Sequence, residues 1–460
     1  MQDDVKTYDV LVIGTGSGIE IVESALNNEM TVALVGKGPI GGTCNYLGCI
    51  PSKMLIAVAD RVMEIREASR LGISAEVRNV DFKWAMEHMR SMRADDAEHI
   101  HFGLHHTPNL DFYHAVGRFV DERTMRVGDD VIRGEKVFIV AGARPAIPPM
   151  EGLHAVHYID NESLLELTEL PDSLLMVGGG YITCEYAHFF EAMGTRVTIL
   201  QRDERLVPDE EPEISELLAH KLSERMEVHT STEAVAVRRA GHSLVVTGRN
   251  PQTGETREFR AEQMMVATGR TPYTDLLEVE KTGVETDAQG YIRANEFLET
   301  NVPNIWAFGD VIGKKMYRHS ANRESLVAWH NSVHDHRVPM DYNAVPHAIF
   351  SHPQIASVGL TEAEARRDHQ ILVGISKYTD VAKGIALREE DGFAKAIVDA
   401  ETEQILGFHI IGPYAPILIQ EVIDLMAMGH EAADVHVGLH IHPAMSELIP
   451  STLSRLDEPE

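Results

Sequence analysis

The sequence predicts an α/β protein: two parallel-sheet units followed by an antiparallel α+β region. Three observations predict it. An apolar strand, a glycine-rich turn, a helix and a second strand follow one another near the N-terminus, and the same order recurs about 164 residues later. Each unit is closed by a further apolar strand ending in a glycine turn. From about Asp341 the texture changes to short strands alternating with short helices.

Tyr8-Asp-Val-Leu-Val-Ile13 is apolar and β-branched, and reads as the first strand. Gly14-Thr-Gly16-Ser-Gly18 is the turn, a helical pattern runs from Ile19 to about Asn27, and Thr31-Val-Ala-Leu-Val35 is the next strand. In the second unit Ser173-Leu-Leu-Met-Val177 leads into Gly178-Gly-Gly180, a helix runs to Met193, and Arg196-Val-Thr-Ile-Leu200 follows. The closing strands are Val137-Phe-Ile-Val140, ending at Gly142, and Met264-Met-Val-Ala-Thr, ending at Gly269 and Arg270. Ala344–Phe350 and Gln404–Ile411 belong to the α+β region. The two glycine units therefore read as Rossmann-like dinucleotide-binding domains. Their intervening sequences do not match, which speaks against a simple tandem repeat. The acidic tail Asp457-Glu-Pro-Glu460 is expected to fray.

Composition narrows the function classes. At 460 residues, with 44% hydrophobic and 24% charged, the chain has room for real cores and is not globally disordered. Three cysteines cannot staple it, which excludes a disulfide scaffold. No apolar run spans a membrane, and the acidic N-terminus lacks the basic and apolar regions of a signal peptide, so a cytoplasmic protein is expected. The net charge is −30, from 71 acidic and 41 basic residues, 29 of the latter arginine. Nucleic acid and anionic membrane both need a basic surface and are excluded as partners. Two readings of the charge stay open: solubility, or a high-salt cytoplasm in which screening makes self-repulsion tolerable.

Gly14 and Gly16 let the strand turn sharply, so that free N–H groups at a helix N-terminus meet a pyrophosphate. The third glycine of G-x-G-x-x-G falls at Ile19, with Gly18 beside it, and the ribose-binding acid expected after Val35 is Gly36, followed by Lys37. In the second unit the acid's place is Gln201, with Arg202 next. A neutral amide beside a guanidinium removes repulsion of a 2′-phosphate, which favours NADPH over NADH; Arg202 as a solvated strand-end charge is the alternative.

Gly41-Gly42-Thr43-Cys44-Asn-Tyr-Leu-Gly-Cys49-Ile-Pro-Ser-Lys53 is the sharpest motif. Two cysteines five apart after a nucleotide-binding strand are half a zinc site, two inert thiols, or a redox pair. No second cysteine pair exists to complete a zinc site, so redox chemistry is expected and no metal. A helix N-terminus stabilises a thiolate, lowering its pKa in favourable sites to roughly 3.5–7.5. His442-Pro443, followed by Glu447, offers an imidazole to protonate a departing thiolate, with a carboxylate to fix its tautomer. The cluster His99, His101, His105 and His106 reads as a solvated helix face rather than a metal patch.

With the cysteine motif, both glycine turns, Ala267-Thr-Gly269-Arg270, Asn304-Ile-Trp-Ala-Phe-Gly-Asp310 and His442-Pro443 in this order, the chain resembles the class I pyridine nucleotide-disulfide oxidoreductases over nearly its whole length. The resemblance implies FAD, NADPH or NADH, and a homodimer in which His442 and Glu447 complete the other subunit's site. It implies an FAD domain at 1–148 and 273–340, an NAD(P)H domain at 149–272, and a C-terminal α+β dimerisation domain at 341–460. It makes Cys44 the interchange thiol, Cys49 the charge-transfer thiol, Lys53 and Glu185 a pair near the flavin, Asp310 a ribityl-chain ligand, and Tyr181 the gate of the nicotinamide pocket. Cys184 is a buried helix residue. Tyr317-Arg-His319-Ser-Ala-Asn322 looks like dihydrolipoamide dehydrogenases and mycothione reductases. Gly14-Thr-Gly-Ser-Gly18 looks closer to the latter, making a small-thiol disulfide the expected substrate and dihydrolipoamide, a dithiol, the alternative. Tyr46 is expected to place an aromatic ring beside the cysteine pair.

Overall fold

The computed structural model describes residues 5–457, and within them all side chains but those of 94–99 and 101. Residues 458–460 of the acidic tail, and the side chains of His99 and His101, lie outside the described residues.

The first of two compact units takes residues up to 51, 87–146 and 269–341. Its sheet orders Leu110–Tyr113, Val32–Val35, Val5–Ile13 and Asp130–Ile139 in parallel, with Ile305–Ala307 also parallel to Asp130–Ile139. Thr124–Val127 and Gly117–Asp121 extend the sheet antiparallel. The strand at the centre is apolar because helices cover it: Val10, Leu11 and Val12 are wholly buried. Helix Gly18–Asn27 packs against helix Arg318–Val333, burying Ile21, Val22 and Ala25. His105 and His106 end the helix Phe82–His106 and are exposed, as a solvated face requires.

The second unit takes residues 52–86, 147–268 and 342–457. One part is a four-stranded parallel sheet, ordered Glu227–His229, Arg196–Leu200, Ser173–Val177 and Gln263–Val266. An antiparallel three-stranded sheet, Glu233–Ala240, Ser243–Arg249 and Thr256–Ala261, shares its core through Val246, Phe259 and Leu175. The other part is a six-stranded antiparallel sheet, ordered Pro346–Ile349, Ile355–Gly359, Ile405–Ile411, Phe393–Asp399, Ile371–Lys377 and Leu456–Asp457. Tyr378, Phe408, Val422 and Ile449 fill its core. The expected change of texture after Asp341 is this switch from parallel to antiparallel pairing.

The two glycine turns are built alike. Gly14 has φ +120°, and a Cβ there would lie 2.1 Å from the Val140 carbonyl oxygen. Gly178 has φ +109°, and a Cβ would lie 2.2 Å from that of Ala267. In each case the turn crosses the end of the neighbouring parallel strand so closely that only a hydrogen fits. We predict that Gly178→Ala costs about 2 kcal/mol or more, since both backbone strain and overlap must be relieved. A urea melt with an unshifted midpoint would contradict this.

Candidate active site

In the first unit the glycine turn, the cysteine loop and a distant helix converge. A Cβ on Gly42 would come within 2.7 Å of the Gly16 Cα, so the cysteine loop lies directly on the first turn. Gly41 N–H donates to the Thr15 carbonyl at 3.0 Å, and Arg318 donates to the Gly41 carbonyl at 3.5 Å. Ser17 Oγ donates to Asn322 Oδ1 at 2.9 Å, tying the start of helix Gly18–Asn27 to helix Arg318–Val333. Cys44 and Thr43 sit in the short helix Gly42–Tyr46, and Cys49 opens the helix Cys49–Glu67. Cys44 is half-buried and Cys49 exposed.

Tyr46 ends the short helix Gly42–Tyr46, two positions after Cys44. It is 3% exposed, and its ring lies 2.9 Å from where a Gly41 Cβ would stand. Its apolar ring is worth more packed inside than in water, so the expected aromatic neighbour of the pair is a core residue.

Gly142, Gly269, Arg270 and Asp310 also meet in the first unit. Arg144 and Thr271 pair across a two-stranded ribbon, Ala143–Pro145 with Arg270–Pro272. Arg270 donates to the Ala143 carbonyl, and its Nε lies 3.5 Å from Asp310 Oδ2. Burial pushes the Asp310 carboxyl above its ordinary range, and Arg270 offsets only part of that. Gly36 sits under Thr15, whose Cγ2 is 2.6 Å from where its Cβ would be, and Lys37 beside it is exposed.

In the second unit, Lys53 lies one turn along the cysteine-headed helix. Its ammonium donates to both carboxylate oxygens of Glu185, at 2.9 and 2.8 Å, and sits 4.6 Å from the centre of the Phe350 ring. Glu185 Oε1 also accepts the Phe350 N–H at 3.0 Å. Glu185 is 3% exposed, so its charge is held by these donors rather than by water. Farther along the same two helices Asp60 meets His188 at 2.9 Å, and Arg66 meets Glu191 at 2.8 Å. Burial lowers the His188 pKa, so the ring is neutral near pH 7. Sequence reading gave the Lys53–Glu185 pair and passed over the other two. The ladder's signal was a polar or charged residue at spacings of seven and six along one helix, Lys53, Asp60 and Arg66, facing Glu185, His188 and Glu191 at every third position of the other.

Tyr181 begins the helix Tyr181–Met193 directly after Gly180 and is 44% exposed. Cys184 is fully buried, and desolvation raises its thiol pKa to about 12, which makes it inert. Gln201 ends the strand Arg196–Leu200 but is only 5% exposed, its amide donating to Asp203 at 3.1 Å and to the Arg205 carbonyl at 3.2 Å. Arg202 is exposed, with Asp203 at 3.5 Å.

His442 Nδ1–H donates to Glu447 Oε1 at 2.8 Å, while Glu447 Oε2 accepts the Ala444 N–H at 3.0 Å. The bond fixes the tautomer that keeps Nε2 for proton transfer, on a side chain 72% exposed. Two positions earlier, His440 is bonded to Glu421 at 2.8 Å. Val437, Leu439 and Ile441 are 83%, 100% and 77% exposed, so this strip alternates anchored histidines with apolar side chains in solvent.

Residues 8–335 match the model of the pyridine nucleotide-disulphide oxidoreductases, and 345–452 match that family's dimerisation domain. The chain belongs to this family. Over 98% of its length it is 34% identical to mycothione reductase of Mycobacterium tuberculosis, covering 99% of that protein. Dihydrolipoyl dehydrogenase 3 of Haloarcula marismortui is 31% identical over 97% of the chain and 96% of its own. The structure of the HOCl-induced flavoprotein disulfide reductase RclA from Escherichia coli superimposes with a TM-score of 0.85 at 26% identity, over 97% of this chain and 99% of that one. The protein is thus an enzyme of sulfur oxidoreduction in a family that uses FAD and NAD(P)H, and its dimerisation domain supports a homodimer. Among the described residues no helix is long and apolar enough to cross a membrane.

The first unit fits a flavin dinucleotide: Gly14 and Gly16, bare of side chains, stand under the cysteine loop, and a desolvated carboxylate at Asp310 lacks a full counter-charge. Two outcomes follow for the pairs. Glu185→Ala strands the Lys53 ammonium and the Phe350 N–H, and should cost about 1–3 kcal/mol in a urea melt, Lys53 being partly solvated. The His442 bond, first, and the Ala444 N–H hold the Glu447 carboxyl below the ordinary value of 4.5. Because that folded pKa is depressed, the pair's contribution is complete above pH 4.5 and is lost as pH falls through the lower folded value. NMR titration of the His442 ring should show its bonded Nδ1 signal persisting below pH 4.5; its loss at or above that pH would contradict the assignment.

Proposed function

We propose that the enzyme reduces the disulfide of a low-molecular-weight thiol with NAD(P)H, through FAD and the Cys44–Cys49 pair. The observation that carries this reading is the cysteine at the head of a helix whose next turn holds the Lys53–Glu185 pair. FAD would supply a two-electron relay from NAD(P)H to the Cys44–Cys49 disulfide; Asp310 would hold its ribityl chain, and Lys53 with Glu185 would balance its charge. In this reading 1–148 and 273–340 form the FAD domain, 149–272 the NAD(P)H domain and 341–460 the dimerisation domain.

The two electrons open the disulfide to two thiol groups. Cys49, at the helix N-terminus, keeps the thiolate. Cys44 gives its proton to His442 of the partner subunit and attacks one sulfur of the external disulfide. A mixed disulfide forms, and the first substrate thiolate leaves with a proton from His442 of the partner subunit, which Glu447 keeps oriented. Cys49 then attacks Cys44, restoring the internal disulfide and releasing the second thiol. Tyr181 covers the nicotinamide site until NAD(P)H displaces it. The 34% identity to mycothione reductase supports the small-thiol assignment, and the same reading places the enzyme in the cytoplasm.

A second reading is dihydrolipoyl dehydrogenase, which runs the same exchange toward NAD. The carboxylate of Asp203 at the strand end favours it, since an acid there suits an unphosphorylated ribose. Initial rates with NADPH and NADH against lipoamide, mycothione, bis-γ-glutamylcystine and glutathione disulfide decide between them. A clear preference for lipoamide with NADH would overturn the small-thiol reading. Cys49→Ser should abolish turnover with every disulfide, and retained full activity would reject the mechanism.

A further inference from the structure

The end of the strand Arg196–Leu200 carries a feature that the run Gln201-Arg202 does not disclose. In a βαβ nucleotide site the residue after the second strand meets the adenosine ribose, and an acid there discriminates against a 2′-phosphate. Here that residue turns inward. Gln201 is 5% exposed, and its amide N–H₂ is used twice, on Asp203 Oδ2 at 3.1 Å and on the Arg205 carbonyl at 3.2 Å. What the amide presents at the surface is the carboxylate it holds. Asp203 keeps 46% of its side chain exposed, with Arg202 Nε 3.5 Å from its other oxygen and Arg202 itself 75% exposed. The loop is stiff: Thr232 N–H donates to the Gln201 carbonyl and Ser231 N–H to that of Asp203, both at 2.8 Å.

We propose that Asp203 is the residue that sets nucleotide choice, acting as a displaced strand-end acid. Arg202 attracts a 2′-phosphate; Asp203 opposes it and accepts from a ribose hydroxyl. The enzyme therefore takes both NADPH and NADH, and the charge on Asp203 fixes their ratio. This rests on the reading of 149–272 as the NAD(P)H domain.

The test is the dissociation constant of NADPH and of NADH for the FAD-loaded dimer, fully reduced beforehand with dithionite so that neither nucleotide reacts, measured by calorimetry in the parent and in Asp203→Asn. Asparagine keeps an oxygen to accept the Gln201 amide and removes only the charge. Removing one charge at a surface site should tighten NADPH about tenfold and leave NADH equal or weaker. The NADPH gain should shrink in high salt. Arg202→Gln should move the ratio the other way. Binding of both nucleotides with a ratio moved less than about twofold by Asp203→Asn overturns this inference alone. Failure of either nucleotide to bind the parent overturns the assignment of the domain, and this inference with it.

Discussion

The ion pair between Lys53 and Glu185 is the constraint around which the second unit's chemistry is arranged. A carboxylate that is 3% exposed survives only where donors replace water, and the two it has are an ammonium from the cysteine-headed helix and a backbone N–H from Phe350. The carboxylate and its two donors come from three separate stretches of chain. The pair therefore adds little net stability but demands one arrangement, because any slip leaves a buried charge unpaired. The Asp60–His188 and Arg66–Glu191 pairs repeat the demand one and two turns farther on, so the two helices are locked in register as well as in contact.

Much of the fold was legible because parallel strands buried on both faces must be apolar, and because the turns at Gly14 and Gly178 admit no side chain. The His442–Glu447 bond was legible too, since it joins residues five apart along the chain. What was not legible depends on direction. Tyr46 and Gln201 are each one residue in a well-read motif, yet both turn inward, Tyr46 because its ring fills space under Gly41 and Gln201 because its amide is consumed within the loop. Spacing names the residue at a position but not the face it takes. The same holds for Ser17 with Asn322, which are 305 positions apart and meet only because two helices pack.

The charge of −30 also gains a local meaning. Three cations of the site regions each have an acid nearby: Lys53 has Glu185, Arg270 has Asp310 and Arg202 has Asp203.

The strip from 437 to 442 ties chemistry to concentration. A lone chain holds Val437, Leu439 and Ile441 in water, an arrangement that association relieves. His442 sits on the same strip, so the proton donor proposed for the neighbouring subunit arrives only when that surface is covered. Each dissociation event withdraws an acid from one thiol pair and a second acid from the other. Dilution would thus silence the enzyme by mass action while each chain stayed folded and kept both cysteines.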